Sequence, residues 1–321
     1  LGLVLVILVG AFRVHQRQMA AGQIVAFLSY FTLIQNATLG MAKVFVKISK
    51  GAASARRIEE VLKAPAEQAV RPCGEVSGCE LGMSQVSFSY LGVERDMENA
   101  SFTLQKGETL GILGPTGSGK TTLVSLLLRL YDADEGVVWV GGRDVTSLPR
   151  QELRSRFGVV FQNDALLSES IYENISFLRD IPRAEAEAAA KTAQAWEFIS
   201  RLPEGMDTKV DIRGANLSGG QRQRLLIARA LAAKPPVLVL DSADSALDYR
   251  TAADLHAAIR RDCPGTTLVV ISERIASLKD ADRILVLEEG RITDQGTHAH
   301  LLAHCDRYRR MVELQMGGGA L

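Results

Sequence analysis

The plainest chemistry in the chain lies in one run, Gly114-Pro115-Thr116-Gly117-Ser118-Gly119-Lys120-Thr121, which matches the pattern G-x-x-x-x-G-K-[ST]. Glycines at 114, 117 and 119 let the backbone curl so that its N–H groups point inward as an anion nest. Lys120 supplies a cation able to reach the β- and γ-phosphates of a nucleotide, and the Thr121 hydroxyl suits Mg²⁺. Thr122 continues the same binding run. A carboxylate for the metal is expected at the end of another buried strand. Asp241 fits, since it closes the apolar run Val237-Leu238-Val239-Leu240 after Pro235-Pro236. Between the two stands Leu217-Ser218-Gly219-Gly220-Gln221, ahead of a basic helix expected over Arg222 to Ala233. N–H groups and a dipole at that helix start are also suited to an anion.

These groups need a scaffold. A short apolar strand over Thr109 to Leu113 runs straight into the glycine-rich loop, and helix-forming residues follow from near Lys120 through Leu130. Further strands read over Val86 to Tyr90, Phe157 to Phe161, Val237 to Asp241 and Thr267 to Ser272. Strand, glycine-rich loop and helix in this order make a P-loop nucleotidase. Several apolar strands alternating with helices make the body an α/β domain.

Composition bounds the rest. The 321 residues hold 37 basic and 37 acidic side chains, so the formal net charge is zero and a basic nucleic-acid surface is excluded; nucleic acid is not expected as a partner. With 47% hydrophobic and 23% charged residues, long disordered tracts are excluded too. The cysteines, Cys73, Cys79, Cys263 and Cys305, form no disulfide framework and imply a reducing compartment; Cys73 and Cys79 lack the second close pair that zinc spacing asks for.

The front of the chain is of another kind. It opens on Leu1 rather than Met with an apolar run to Phe12, shorter than the roughly 20 residues a spanning helix needs, and is expected to be the end of a truncated span. Arg13 to Met19 is a polar turn, and Ala20 to Ala42 contains no charged residue, enough for a full span. Gln23, Ser29, Tyr30, Thr32, Gln35, Asn36 and Thr38 within it are expected to face other helices through hydrogen bonds, or else a wet cavity. Lys43, Lys47, Lys50, Arg56 and Arg57 follow the span, against Arg13 and Arg17 before it, which places the later residues in the cytoplasm. A helical extension covers 43–63, a linker with Pro65, Pro72 and Gly74 covers 64–79, and the α/β domain covers 80–321, where Gly317 to Gly319 is the one biased tract.

Leu217-Ser218-Gly219-Gly220-Gln221, in its place between the phosphate loop and Asp241, resembles the signature of ATP-binding-cassette (ABC) proteins. Other residues agree in order. Tyr90 matches the aromatic that stacks on adenine, Gln162 the glutamine that senses Mg²⁺ and the membrane domain, and Ser245-Ala246-Leu247-Asp248 the loop that crosses between two cassettes. The resemblance covers nearly the whole chain. It implies a P-loop cassette with a mixed sheet, flanking helices and a helical signature subdomain, preceded by a transmembrane helical segment. It also implies ATP and Mg²⁺ as cofactors, with Thr121, Gln162 and Asp241 on the metal, and ATP hydrolysis coupled to translocation. The expected setting is an exporter half-transporter in the cell membrane, multi-pass, with a cytoplasmic nucleotide domain. The expected partners are a second half-transporter whose phosphate loop faces this signature, membrane lipid, and a transported small molecule, lipid or peptide.

The pattern is broken at two catalytic positions. Ser242 stands where the family carries the Glu that polarises water, and loss of a general base typically costs about 10²–10⁴-fold. Glu273 stands where the switch His meets the γ-phosphate, and a carboxylate there repels that phosphate unless protonated or cation-paired. Asp244 and Glu273 are alternative bases, and Ile212 replaces a Glu common in exporters. The expectation is a chain that binds ATP but hydrolyses it poorly, the degenerate-site subunit of a heterodimer. Rival readings are a soluble cassette ATPase and a regulatory subunit without a transport role.

Overall fold

In a computed structural model, residues 2–63 and 78–316 are described, and they form two compact units. Residues 64–77 of the expected linker, with Cys73, lie outside the described residues, as does the Gly317 to Gly319 tract.

The first unit is a pair of helices, Gly2–His15 and Ala21–Leu62. The expected polar turn is shorter than 13–19, because the first helix continues to His15. The second helix is continuous across 42 residues, so span and charged extension are one element. At 1.5 Å per residue it is roughly 60 Å long, about twice the hydrocarbon core of a bilayer. An 18-residue window has mean hydropathy 1.4 and none of it is buried within the chain, unlike the core helix of a soluble body. Inside it the hydroxyls of Ser29, Thr32 and Thr38 each donate to the carbonyl four residues back, on Val25, Leu28 and Ile34, at 2.9 Å. These three hydroxyls therefore satisfy their donors on their own helix. Gln23 is also locally engaged, accepting from the Ala20 N–H at 3.0 Å.

The second unit is built on ten strands: β1 Leu81–Phe88, β2 Met97–Leu104, β3 Thr109–Leu113, β4 Glu135–Val140, β5 Arg143–Asp144, β6 Phe157–Val160, β7 Val237–Asp241, β8 Thr267–Ile271, β9 Arg283–Glu288 and β10 Arg291–Gly296. One antiparallel sheet has the order β2-β1-β4-β5; the other runs β10-β9-β3-β8-β7-β6, parallel except for β10. Every residue of β3, β7 and β8 is buried, which is why these strands read as unbroken apolar runs rather than alternating ones. Register places Ile112 opposite Ile271 and Ile271 opposite Asp241, so the chain leaves three parallel strands at one rim. In open parallel sheets that carboxyl rim is where ligands bind.

Between β6 and β7 lies a helical subdomain. Helices Ile171–Ser176 and Arg183–Thr192 pack on the longer Gly219–Ala232, the former through Ile171 and Ile175, the latter through buried Ala186, Ala189 and Ala190. Small side chains let the helix axes approach closely. The buried Arg229 guanidinium holds this layer to the rim, donating to the Asn174 carbonyl and side-chain oxygen at 2.9 Å and to the Ala165 carbonyl at 3.0 Å.

Candidate nucleotide-binding site

The glycine-rich loop leaves β3 and enters helix Lys120–Leu127, whose first residue is the loop lysine. Gly117 and Gly119 adopt φ of +82° and +99°, values that cost a side-chain-bearing residue strain. A Cβ on Gly114 would collide with the Ser118 hydroxyl and the Leu287 carbonyl. That Ser118 hydroxyl is buried without a hydrogen-bond partner among the described residues. The loop is thus a tightly wound cradle at a helix start, which fits a phosphate. Lys120 Nζ donates to the carbonyls of Gly114 at 2.7 Å and Pro115 at 2.8 Å. Burial lowers its pKa, opposed by the nearby carboxylates of Glu273 and Asp241.

The cradle opens on a cleft of about 440 Å³, a volume suited to a nucleotide. Thr116, Gly117, Gly119, Lys120, Thr121 and Thr122 form one wall; Gln162, Asp241, Ser242 and Glu273 face them. Register of the parallel sheet thus gathers groups from four strand ends. Among the described residues no cluster of three or more His, Cys, Asp or Glu side chains could hold a metal by itself. The hydroxyl of Thr121 with the oxygens of Asp241 and Gln162 is a hard, incomplete set, suited to Mg²⁺ that arrives with phosphate oxygens. Burial pushes the Asp241 carboxyl up, opposed by the Ser242 hydroxyl and the Lys120 cation.

Ser242 lies in the left-handed region at φ +53° and donates from its hydroxyl to Asp241 Oδ1 at 3.3 Å. It therefore serves the metal-side carboxylate. Glu273 faces the loop: its Oε1 accepts from the Thr116 hydroxyl at 3.3 Å and stands 4.0 Å from Lys120 Nζ. Asp244, weighed as an alternative base, does not line the cleft. It is 4% exposed and accepts from the Ser272 hydroxyl at 2.8 Å, so it is spent on the inside of the fold.

Tyr90 sits beside the cleft. Its hydroxyl donates to Thr122 Oγ1 at 3.3 Å, and its ring packs edge-on against Phe88 and Tyr131, each at 4.9 Å. It is still 43% exposed, enough to offer ring surface to a base. Tyr131, and Arg95, Asp96, Glu289 and Gly290 in the cleft wall, lie in no motif and give no local sequence signal.

The signature pentapeptide is elsewhere. Ser218 caps helix Gly219–Ala232: its hydroxyl accepts from the Gln221 N–H at 3.2 Å, and Gln221 Oε1 accepts from the Ser218 N–H at 2.9 Å. With Leu217 half-buried before the cap, Ser218 and Gly219 are exposed. Gly220 lies so near the Ala246 carbonyl that a Cβ would stand 3.2 Å from it. The structure thus joins Leu217–Gln221 to Ser245–Asp248 and to a second groove, which Gln162 shares with the nucleotide cleft. Asp248 caps the following helix, accepting from the Thr251 N–H at 2.8 Å and its hydroxyl at 2.7 Å, and these bonds lower its pKa. Arg274, beside Glu273 and outside any motif, donates to the carbonyls of Asp244, Ser245 and Leu247. Ile212 is 76% exposed next to this groove's Arg213.

A phosphate cradle, a metal-side carboxylate and a separate glycine-rich helix cap on a helical subdomain define a P-loop ATPase cassette. The chain carries such a cassette of the ABC transporter family, whose profile, described as ABC transporter, matches residues 97–245. It is 37% identical over 301 residues to the ATP-dependent lipid A-core flippase of Aromatoleum aromaticum, covering 92% of this chain and 50% of that protein. It is 36% identical over 314 residues to the fatty acid ABC transporter ATP-binding/permease protein of Mycobacterium tuberculosis, covering 97% and 50%. A solved bacterial Atm1-family ABC exporter with ATP bound superposes with TM-score 0.76 at 34% identity, covering 93% of this chain and 53% of that one. The chain spans about half the length of the curated relatives it matches.

Proposed function

We propose that the chain is the ATP-binding subunit of an exporter whose two nucleotide sites are unequal, this chain supplying the weakly hydrolytic one. One observation carries the reading: the phosphate cradle and Asp241 are intact, while Ser242 and Glu273 occupy the wall where a water-activating base and a γ-phosphate partner belong. A serine hydroxyl cannot take a proton from water near neutral pH. In this reading Tyr90 stacks on adenine, Lys120 takes the β- and γ-phosphates, and Thr121, Asp241 and Gln162 hold Mg²⁺. The cap Ser218–Gly220, exposed at Ser218 and Gly219, closes over the phosphate loop of a second half-transporter that keeps both catalytic residues. Two cassettes drawn together by ATP and released by hydrolysis then drive the membrane helices between inward- and outward-facing states.

The helix Ala21–Leu62 supports a membrane setting, with residues 20–42 crossing and the cassette cytoplasmic. A lipidic cargo is favoured by the names of the relatives, a lipid A-core flippase and a fatty acid transporter. The decisive measurement is ATP turnover by the purified chain without a partner, and then with a half-transporter carrying the Glu and His. Slow turnover alone and fast turnover in the pair is the expected result. Rapid hydrolysis by this chain as a homodimer would sink the proposal.

A further inference from the structure

The switch position is held from two sides. On the cleft side, the Glu273 carboxylate accepts from the Thr116 hydroxyl at 3.3 Å and stands 4.0 Å from Lys120 Nζ, so it leans on the tip of the phosphate loop. On the far side, one side chain from the C-terminal helix Asp306–Met316 fixes its backbone. Gln315 Nε2 donates to the Glu273 carbonyl at 2.7 Å, and Gln315 Oε1 accepts from the Ile275 N–H at 2.9 Å. Ser272, just before, is anchored to Asp244 at 2.8 Å. The carboxylate is therefore aimed rather than carried on a free loop.

Its direction matters for which nucleotide fits. The loop N–H groups and the helix start hold the inner phosphates, and the third, which Lys120 reaches together with the second, is the one turned toward the opposite wall. There it meets Glu273. The cleft is already rich in anions: among its described lining, Lys120 and Arg95 are the cations, against the carboxylates of Asp96, Asp241, Glu273 and Glu289. A triphosphate must take Thr116 and Lys120 away from Glu273 and then lie beside that carboxylate, a like-charge contact that Lys120 and Mg²⁺ offset only in part. A diphosphate stops short of that contact.

We infer that Glu273 is a specificity-determining residue of this site, set in place by Gln315, which weakens binding of nucleoside triphosphate relative to diphosphate. The inference rests on the reading of the cleft as a nucleotide site. Its consequence is that this cleft releases triphosphate more readily than an ordinary cassette site, so that closure over it depends more heavily on contacts from the partner.

The test is calorimetry on the full chain in detergent, titrated separately with MgADP and with Mg²⁺ and the slowly hydrolysed triphosphate AMP-PNP. For the parent chain, the diphosphate binds tighter. Glu273→Gln is expected to tighten the triphosphate about fivefold, the scale of one partly exposed charge pair, while the diphosphate stays within about twofold. Gln315→Ala should move the same ratio in the same direction by less, a change that loss of stability alone does not produce. An unchanged ratio in Glu273→Gln, or equal shifts for both nucleotides, would overturn the inference while leaving the nucleotide site standing. Absence of binding by either nucleotide to parent and variant alike would overturn the nucleotide reading and this inference with it.

Discussion

Placing a carboxylate at position 242 is the sharpest perturbation of the proposed degenerate site. In Ser242→Glu the new side chain starts from a backbone at φ +53°, a strain that serine already bears, so the conformational term nearly cancels. The change removes the Ser242 hydroxyl bond to Asp241, which at 3.3 Å is long and is worth about 0.5 kcal/mol. It also sets a second carboxylate beside Asp241, whose carboxyl burial already pushes up, so Mg²⁺ has to be present before both ionise. Against these costs stands a general base on the cleft wall, worth about 10²–10⁴ in rate, or roughly 3–5 kcal/mol of barrier. Since Glu273 still opposes the γ-phosphate, the gain is expected near the lower end, about 10²-fold. Adding Glu273→His should raise it further. Phosphate release is followed in a single-turnover experiment on the purified chain, with MgATP affinity and oligomeric state measured on the same sample. A rate within about threefold of the parent, at unchanged affinity and in the same oligomer, would refute the assignment of position 242 as the missing base.

Replacing Lys120 by Met keeps the stem but removes the cation, and MgATP affinity measured by calorimetry should fall about 10–100-fold, the range of one charge-assisted hydrogen bond; a loss below threefold counts against the cradle. His256 is buried and its pKa is lowered by that burial, with Asp244 and Asp280 opposing and Arg260 adding. Its folded form is therefore neutral, so the stability it contributes is present above the unfolded value of about 6.5 and is lost as pH falls through it toward the lower folded value. Thermal melts of the parent should drop more between pH 7 and pH 5 than those of His256→Gln, and parallel curves would contradict this. For the first unit, a single cysteine at Gln16 in a Cys-free background should react with an impermeant reagent in intact cells, and one at Glu59 should not; the reverse pattern overturns the orientation.

Some of this was legible because the information is local. A glycine-rich loop holds its geometry through φ values that its own residues permit, so Gly114 to Thr121 announce the cradle without a tertiary context. Buried parallel strands are apolar throughout, which made β3, β7 and β8 visible to within a residue. The serine at 242 and the glutamate at 273 likewise carry their proton and charge chemistry in their side chains alone, and the stretch 20–42 shows its apolar, uncharged character in its composition.

What the fold decided are contacts between residues far apart in the chain. Thr116 and Glu273 are separated by 157 positions, and only the parallel register of β3 with β8 sets one beside the other. The pairing of β7 with β8 brings Asp244 inward to Ser272, removing it as a base, while Ser242 stays on the cleft next to Asp241. Gln315 and Arg274 belong to no motif, since their role is to hold backbone carbonyls that any sequence would supply. Side-chain type determines what a group can do, but which group it does it to depends on strand register and helix packing, and those are properties of the whole sheet.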